Sequence, residues 1–501
     1  MGKLEKSVAK STIQITLIMF VIKILGVVKQ SVIASVCGAT KETDAYFIAT
    51  SVIIALCSVF FSSISISFLS IYTESLFLKG KSTANNLVNS VLRVFLPISI
   101  GIMFLFMIFA PQIANFLAPT YSIKEIQILS EYIRILSIMF VFTSYYLIIN
   151  VVLETNKQFL PGKGQSLFQN LFVIIAALLF YNKSGIKSLV YAFVIAGVIQ
   201  CIQITYNARK LFSFKKNVQT DNQTIKKLLQ LSIPLILGNA IYEINDIVDK
   251  RISSGLGDGS VSTLSFGASI NEIVTTLIVA SISTVLFSHF STWIAERKRD
   301  KVEKSLPKSI EALLVLIMPI MIMCFICSDY IVEILFGRGG FGYIEIKKTS
   351  AVVIAYAVGF FFQASRAIIV KVYYAFQDTK RPMINGVISV TINICLSIIL
   401  SKYLGVSGIA LATSISMLLV TILLLPSVYK YLPNLSFKTS IKEYAKVIVI
   451  SIIVFVIAKM LRNIINVGTF LSFIMIGLFV VILYVILLVG FKVDCIKNVK
   501  K

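Results

Sequence analysis

Charged residues are scarce in this sequence, since Asp, Glu, Lys and Arg make up only 14% of its 501 residues. Soluble domains carry about 25% charged residues, so the shortage excludes an ordinary soluble protein. Hydrophobic residues reach 57% and the mean hydropathy is +0.90. Apolar runs of roughly 20 residues, long enough to cross a bilayer as a helix, recur along the whole chain. The sequence predicts an all-α polytopic membrane protein with about 14 transmembrane helices.

Residues and motifs that carry catalysis are also few. The one histidine, His289, has no metal-ligand partner at a usable spacing, and the seven cysteines lie mostly inside apolar runs. We find no Walker lysine motif, no H-E-x-x-H and no nucleophile elbow. The segment 337–342 fits G-x-G-x-x-G, but it follows a predicted transmembrane helix where a nucleotide site requires a strand. The sequence therefore predicts neither enzymatic activity nor a bound cofactor.

Acidic residues are outnumbered, at 23 against 47 Lys and Arg, which gives a formal net charge of +24. About 30 of those 47 basic residues fall in alternate connections between the predicted spans, as the positive-inside rule describes. A nucleic-acid surface would instead gather its basic residues on one folded face. The pattern predicts a multi-pass protein of the bacterial cytoplasmic membrane with both termini in the cytoplasm.

The hydropathy profile predicts four regions along the chain. The first lobe covers residues 1–206 with six spans, and a basic cytoplasmic linker covers 207–228. The second lobe covers 229–432 with six more spans, and 433–501 holds two further spans and a cytoplasmic tail. The fourteen predicted spans are 12–36, 45–71, 88–117, 127–152, 164–181, 185–206, 229–252, 260–290, 309–335, 349–376, 383–402, 405–427, 443–463 and 468–491.

The two predicted lobes resemble copies of one six-helix unit. Three loop-to-helix junctions recur at an offset of about 220 residues, namely Gly38 with Gly257, Pro161 with Pro382, and Gly185 with Gly405. An internal repeat of this kind indicates duplication. Because each copy has an even number of spans, we expect a pseudo-twofold axis along the membrane normal, with the substrate site between the lobes.

Basic residues lie deep inside two predicted spans. Lys23 is about twelve residues into the first span, roughly 18 Å deep at 1.5 Å per residue, and Lys29 lies nearer the outer face. Gly26 between them permits close approach of a neighbouring helix or a ligand. Arg366 and Lys371 occupy the inner half of the tenth span. Lys29 and Lys371 can also reach a headgroup, whereas for Lys23 and Arg366 we favour a water-filled cavity, because buried charges are costly in lipid.

The seventh span carries a polar stripe. Asn239, Glu243, Asp246 and Lys250 follow at intervals of four, three and four, which places them on one helical face. The stripe predicts an aqueous cavity lining, pairing of an acid with Lys250, or both. A cavity that combines Lys and Arg favours phosphate or pyrophosphate, whereas an organic-cation antiporter needs buried acids, which the first lobe lacks at mid-depth.

Four motifs resemble those of the MurJ/MviN family of lipid II flippases, which belongs to the multidrug/oligosaccharidyl-lipid/polysaccharide exporter superfamily. They cover residues 44–47 (DAYF), 257–261 (GDGSV), 335–341 (LFGRGGF) and 374–382 (YAFQDTKRP). The resemblance implies two six-helix lobes, two extra C-terminal helices and alternating access. It implies transport of lipid II, an undecaprenyl-pyrophosphate-linked peptidoglycan precursor, from the cytoplasmic to the outer leaflet.

The resemblance also implies roles for individual residues. Lys23 and Lys29 fall where the family usually has arginines, as part of a substrate-binding set with Gly26, Arg366 and Lys371. Cys57, Ser58, Phe61 and Ser62 stand in the region where the family normally carries arginine and glutamate, and Ser269 stands where many relatives have arginine. Asp249, Asn393 and Thr413 match the ligand positions of a monovalent cation site for coupling to Na⁺ or H⁺, with Ser397 in place of another carboxylate.

Two other kinds of transporter stay open at this point. The first is a flippase for another lipid-linked oligosaccharide, such as a capsule or O-antigen unit, which the replaced cationic residues motivate. The second is a multidrug cation antiporter, which the sign of the deep charges disfavours. The expected partners are an anionic lipid-linked oligosaccharide and the membrane, with a monomer as the expected state and no nucleic acid.

Overall fold

The computed structural model of the protein describes residues 3–215, 222–465 and 467–494. Side chains are described from Leu17 onward, except at 277, 278, 280, 281 and 439. Residues 216–221 of the predicted linker and 495–501 of the predicted tail lie outside the described residues. Every secondary-structure element in the described part is a helix, which confirms the all-α prediction. Helices dominate because a lipid-embedded backbone must satisfy its hydrogen bonds internally.

The helices follow one another with short connections. In chain order they are α1 (Lys3–Cys37), α2 (Lys41–Cys57), α3 (Ser63–Glu74), α4 (Lys81–Ile108), α5 (Ala110–Leu117), α6 (Ile123–Leu136), α7 (Met139–Thr155), α8 (Gly164–Ser184), α9 (Lys187–Ala208), α10 (Asn222–Ser254), α11 (Ser260–Val274), α12 (Ser281–Ala295), α13 (Arg299–Phe336), α14 (Tyr343–Ala357), α15 (Phe360–Ala375), α16 (Lys380–Leu404), α17 (Val406–Val428), α18 (Lys438–Ile464) and α19 (Thr469–Gly490). Three π-helical segments, Ser58–Ser62, Ser75–Lys79 and Thr275–Ala280, interrupt longer helices.

Membrane-spanning helices account for most of the described chain. Among the described residues, twelve helices are long and apolar enough to cross a bilayer, and the count is thirteen if α14 and α15, which meet at a bend of 41°, are taken as one span. The thirteen have counterparts among the fourteen predicted spans. The remaining prediction, 260–290, coincides with α11, the π segment Thr275–Ala280 and α12, so the count of fourteen stays a prediction.

The chain divides into two compact units. Unit 1 runs to Ser262 and also includes Gly339–Phe341, while unit 2 comprises Thr263–Arg338 and the residues from Gly342 onward. The predicted second lobe begins earlier, at residue 229, so α10 falls in unit 1 by its packing. The predicted lobes follow a sequence duplication, whereas the units follow packing, and the lobe boundaries therefore stay a prediction.

Helix α10 belongs to unit 1 because of what it contacts. It packs on α2, α3, α5 and the π segment Ser58–Ser62. Among the described residues, α9 reaches Ala208 and α10 covers Asn222–Ser254, so both overlap the predicted linker 207–228, whose bounds stay a prediction.

Local backbone geometry repeats at the predicted offset. Lys157 and Gln377, 220 residues apart, have φ values of 63° and 60°, and Gly185 and Gly405, also 220 apart, have φ values of 56° and 59°. The helices that end just before Lys157 and Gln377 close with matching hydrogen bonds. At the first end, Lys157 N donates to Glu154 O and Gln158 N to Leu153 O; at the second, Gln377 N donates to Tyr374 O and Asp378 N to Tyr373 O. These matches support the duplication inferred from sequence, while the pseudo-twofold axis remains a prediction.

The two C-terminal helices pack on α13 in unit 2. Their shared core is apolar and includes Leu314, Ile326, Val447, Ile476 and Val480. Cys327 is buried in the same core and Cys324 is buried nearby in α13, so both behave as small apolar residues, as their sequence context predicts.

Candidate functional site

The predicted polar stripe of α10 makes two kinds of contact in unit 1: bonds to neighbouring helical segments and an ion pair within α10. Asn239 Nδ2 donates to Ser63 Oγ at 3.0 Å, and the carboxyl of Glu243 is hydrogen-bonded to the Ser58 side chain. Lys250 Nζ lies 2.8 Å from an oxygen of Asp246, one helical turn away. The predicted pairing of an acid with Lys250 is therefore present, and the other half of the stripe joins α10 to its neighbours.

The π segment that receives α10 also lines a cavity in unit 1. The cavity measures about 190 Å³, and insertions of π geometry are frequent at functional sites. Its polar lining consists of uncharged side chains, namely Ser58, Ser62, Thr143, Gln165, Ser166 and Gln169. At Ser58 and Ser62 this cavity offers hydroxyl groups where the family resemblance implies charged ones.

Sequence reasoning found only part of this cavity. It singled out Ser58 and Ser62, but it did not identify Gln165 and Gln169, which contribute from α8. Two glutamines four residues apart at the start of an apolar helix lie on one face, and that spacing was the available signal. Thr143 gave no such signal, because a single threonine in an apolar helix is ordinary.

The deep basic residues of α1 lie beside α8. Asn170 Nδ2 donates to the Ile22 carbonyl at 3.2 Å, and a Cβ on Gly26 would lie 3.7 Å from the same nitrogen. The close approach expected at Gly26 is therefore made by a neighbouring helix. Lys23 and Lys29 are both half-buried, and Lys23 lies one turn before Gly26.

The predicted basic residues of unit 2 have partners on neighbouring helices. Arg366 Nε donates to Asn385 Oδ1 at 2.9 Å, and Asn385 Nδ2 donates to the Val420 carbonyl at 2.8 Å. This chain of bonds joins α15, α16 and α17 and fixes the guanidinium while leaving its other N–H groups for further contacts. Lys371 lies over the rings of Phe287 and Tyr374, at 5.3 and 5.8 Å from their centroids.

The three predicted cation ligands are distributed over both units. Asp249 belongs to unit 1 and accepts a hydrogen bond from Asn245 Nδ2 at 3.1 Å. In unit 2, Asn393 Nδ2 donates to Thr413 Oγ1 at 3.0 Å and Ser397 Oγ lies 3.4 Å from Asn393 Oδ1. The unit 2 residues carry neutral oxygen atoms and Asp249 of unit 1 carries a carboxylate, and a cation site formed by them stays a prediction. Across the described residues, no group of three or more His, Cys, Asp or Glu is arranged for a metal ion.

Three motifs of the sequence meet at one junction in unit 1, which we call the outer junction because α1 ends and α2 begins there on the predicted outer side. The carboxyl of Asp44, which is fully buried, accepts hydrogen bonds from Ser262 N at 2.7 Å and from Ser262 Oγ at 2.5 Å. Lys41 forms an ion pair with Asp258 at 3.4 Å. The Gly259 backbone N–H also donates to the Asp44 carboxyl, so the motif at 44–47 and the motif at 257–261 are two sides of one contact.

Glycines make the third side of the outer junction. Gly340 N donates to the Ser35 carbonyl at 2.7 Å. Gly339 has φ +57°, and a Cβ there would lie 2.2 Å from the same Ser35 oxygen. Because only glycine tolerates both the left-handed backbone and this approach, packing accounts for the glycine at position 339 of the motif at 335–341.

Removing the Asp44 carboxyl is expected to loosen the outer junction. Asp44→Ala leaves the buried Ser262 N–H without its acceptor, which costs about 1–3 kcal/mol. We expect a lower thermal unfolding midpoint for the purified protein in detergent, measured by the loss of helical circular dichroism. Asp44→Asn should lose less, because its amide oxygen can still accept from Ser262 N. Equal midpoints for wild type and Asp44→Ala would show that this contact contributes nothing.

The motif at 374–382 builds a second cluster on the predicted cytoplasmic side of unit 2. Asp378 Oδ1 accepts from Lys380 N at 3.0 Å and from Arg381 N at 3.2 Å, and Oδ2 accepts from the Tyr431 hydroxyl at 2.8 Å. Partial desolvation acts to raise the pKa of Asp378, but the hydrogen bonds from Tyr431 and Arg381 outweigh it, so the pKa lies below its ordinary value. Asp378 is therefore a cap whose charged form is favoured, and it ties the start of α16 to the segment after α17.

Comparison with known proteins places these features in a family. The sequence model described as "Lipid II flippase MurJ" matches residues 33–481. A "Probable lipid II flippase MurJ" of Rickettsia prowazekii is 27% identical over 413 residues, covering 81% of each chain. One of Thermotoga maritima with the same description is 25% identical over 415 residues, covering 81% of this chain and 82% of the relative.

Solved structures agree with the sequence comparison. The structure described as "Lipid II flippase MurJ, inward closed conformation" has a TM-score of 0.84 at 26% identity and covers 97% of this chain and 100% of its own. An inward-facing multidrug transporter of the MATE family has a TM-score of 0.70 at 12% identity, covering 85% of this chain and 98% of its own. At that identity the second similarity concerns the fold alone.

Proposed function

Because this chain belongs to the lipid II flippase MurJ family, we propose that it carries lipid II from the cytoplasmic to the outer leaflet of the bacterial cytoplasmic membrane. The observation that carries the proposal is the family match over residues 33–481, joined to a TM-score of 0.84 with a structure of that family. The protein acts as a monomeric transporter by alternating access, with both termini in the cytoplasm.

The basic residues of α1 and α15 recognise the diphosphate of the substrate. Lys23, Lys29, Arg366 and Lys371 supply the positive charge. A diphosphate attracts such groups through charge-assisted hydrogen bonds, which are stronger than neutral ones. The bond from Arg366 Nε to Asn385 Oδ1 holds the guanidinium in one orientation, so less side-chain entropy is lost when the substrate binds.

Movement of the substrate is driven by the membrane potential or by a cation gradient. Asp249, Asn393 and Thr413 supply the oxygen ligands of a Na⁺ or H⁺ site in this proposal. The bonds from Asn245 to Asp249 and from Asn393 to Thr413 orient these groups, as bonds around cation ligands commonly do.

A second candidate function is transport of another lipid-linked oligosaccharide. The neutral cavity at Ser58–Ser62 favours it, since hydroxyl and amide groups suit a sugar better than a charged headgroup. Both candidates share the lipid-linked diphosphate, and they differ only in the headgroup.

Complementation tests the main proposal. Cells whose own lipid II flippase is depleted should regain growth when this protein is expressed, and lipid II should become accessible to an enzyme added outside the inner membrane. An epitope-tagged version, detected with an antibody, controls for abundance in the membrane. Absence of rescue by an abundant protein, with outer-leaflet transport of a capsule or O-antigen unit instead, would select the second candidate.

A further inference from the structure

A second cavity lies in unit 1, and none of the predicted transport residues line it. We call it the inner-face pocket, because it sits where α3 and its π-helical extension end and α4 and α10 begin, on the predicted cytoplasmic side. Its volume is about 140 Å³. It is lined by Ile71, Glu74, Ser75, Lys79, Thr83, Asn86, Leu87, Ser90, Thr224 and Lys227.

The charges around the inner-face pocket are mainly positive. Lys79 and Lys227 line it, and Lys215 Nζ donates to Asn86 Oδ1 on its wall at 3.1 Å. Glu74 is the one acid in the lining, and its carboxylate lies 3.4 Å from Lys227 Nζ. Three ammonium groups against one carboxylate leave a net positive charge at this point of the surface.

The ion pair between Glu74 and Lys227 is easy to exchange. Both side chains are more than half exposed, at 53% and 57%, and an exposed pair of this kind contributes only about 0–1 kcal/mol. An anion carrying two negative charges would gain from both lysines while displacing a single carboxylate. Glu74 would therefore compete only weakly with such an anion for Lys227.

The remaining lining suits the oxygen atoms of a phosphate group. Four hydroxyl side chains, those of Ser75, Thr83, Ser90 and Thr224, line the pocket. Those of Thr83 and Ser90 donate to the Lys79 and Asn86 carbonyls and donate to a ligand only by rotating away from these carbonyls. The π segment Ser75–Lys79 brings Ser75 and Lys79 to the same wall, as local helix distortions often do at binding sites.

Asparagine side chains of α4 hold the segment after α9 next to the pocket by hydrogen bonds to its backbone. Asn85 accepts from Ser213 N at 2.9 Å and donates to Ser213 O at 2.9 Å, and Asn89 accepts from Lys215 N at 3.1 Å. These bonds dock the segment after α9 onto α4, so Lys215 is positioned before any ligand binds. Such preorganisation reduces the entropic cost of binding.

We propose that the inner-face pocket binds a phosphate-type anion, with Lys79 and Lys227 as its charged ligands and Glu74 as the group that the anion displaces. The anion is either the headgroup of an anionic phospholipid at the membrane surface or a phosphate or diphosphate group that arrives from the cytoplasm. The two sources share their chemistry and differ in what must be supplied to observe binding.

The test uses the full-length protein purified in an uncharged detergent. One arm titrates inorganic pyrophosphate and follows the thermal unfolding midpoint, with sodium chloride at equal ionic strength as the reference. The other arm adds phosphatidylglycerol or phosphatidylcholine in mixed micelles and counts retained lipid by native mass spectrometry. Binding of pyrophosphate indicates a ligand from solution, and selective retention of phosphatidylglycerol indicates the lipid headgroup.

Substitutions test whether the two lysines strengthen anion binding and whether Glu74 weakens it. We expect Lys79→Gln and Lys227→Gln to weaken binding about fivefold each, as for the loss of an exposed charge pair, and Glu74→Gln to tighten it by a similar factor. Lys226→Gln removes the same charge from the neighbouring position outside the pocket and should change little. The proposal is overturned if neither probe binds, if Lys226→Gln weakens binding as much as Lys227→Gln, or if Glu74→Gln weakens it.

Discussion

Replacing Lys23 by alanine is expected to abolish rescue of flippase-depleted cells while leaving the protein abundant in the membrane. The loss of one charge-assisted hydrogen bond to a diphosphate costs about 1.5–3 kcal/mol, which lowers substrate affinity about 10- to 100-fold. Insertion of α1 should become easier, because a central lysine costs about 2.5–3.5 kcal/mol on insertion scales. Growth and outer-leaflet lipid II measure the first effect, and membrane abundance measures the second.

Two variants separate the charge of Lys23 from other causes. Lys23→Arg keeps a cation at this position and should retain most of the rescue. Lys183→Ala removes a lysine from the exposed end of α8 and should behave as wild type. Full growth with Lys23→Ala would remove this residue from the substrate site, and the proposed function would then depend on the other three basic residues.

Replacing Gly339 by alanine is expected to destabilise unit 1 severely. The new Cβ would lie 2.2 Å from the Ser35 carbonyl oxygen, on a backbone with φ +57°. The segment must move, and the bond from Gly340 N to Ser35 O at 2.7 Å is then lost. Strain, clash and an unsatisfied carbonyl together cost roughly 3 kcal/mol or more. We expect a thermal midpoint lower by several degrees and reduced membrane abundance.

Two other glycines separate the backbone strain of Gly339→Ala from its steric clash. Gly405 has φ +59° with no atom within 4 Å of a built Cβ, so Gly405→Ala measures backbone strain alone. Gly101 also has open space and lies within α4, where alanine is favoured over glycine by about 1 kcal/mol. A midpoint for Gly339→Ala no lower than that for Gly405→Ala would contradict the close packing at the outer junction.

Much of the fold could be predicted because helix formation in a membrane is decided locally. Thirteen of the fourteen predicted spans have counterparts among the described helices, since each apolar run must bond its own backbone wherever it later packs. The recurring turns at Gly185 and Gly405 were also visible, because a positive φ at a helix end favours glycine.

The site was less predictable because side-chain partners lie far apart in sequence. The stripe on α10 could be placed on one face, yet nothing in its spacing indicated that Asn239 bonds Ser63 or that Glu243 meets Ser58. Arg366 was identified by its depth, whereas its bond to Asn385 depends on how α15 meets α16. The motif at 257–261 was identified by resemblance alone, and its contact with Asp44 supplied the physical reason for it.

The sequence by itself determined that this protein is an all-helical membrane protein, where most of its helices lie and which family it belongs to. Those properties depend on hydropathy over about twenty residues and on short motifs, and both can be read without knowing any distant contact. Only the tertiary structure decided that α10 packs in unit 1, that three motifs form one outer junction, and that Lys79 and Lys227 line one pocket. Each of these depends on residues more than one hundred positions apart, and only packing brings such residues together.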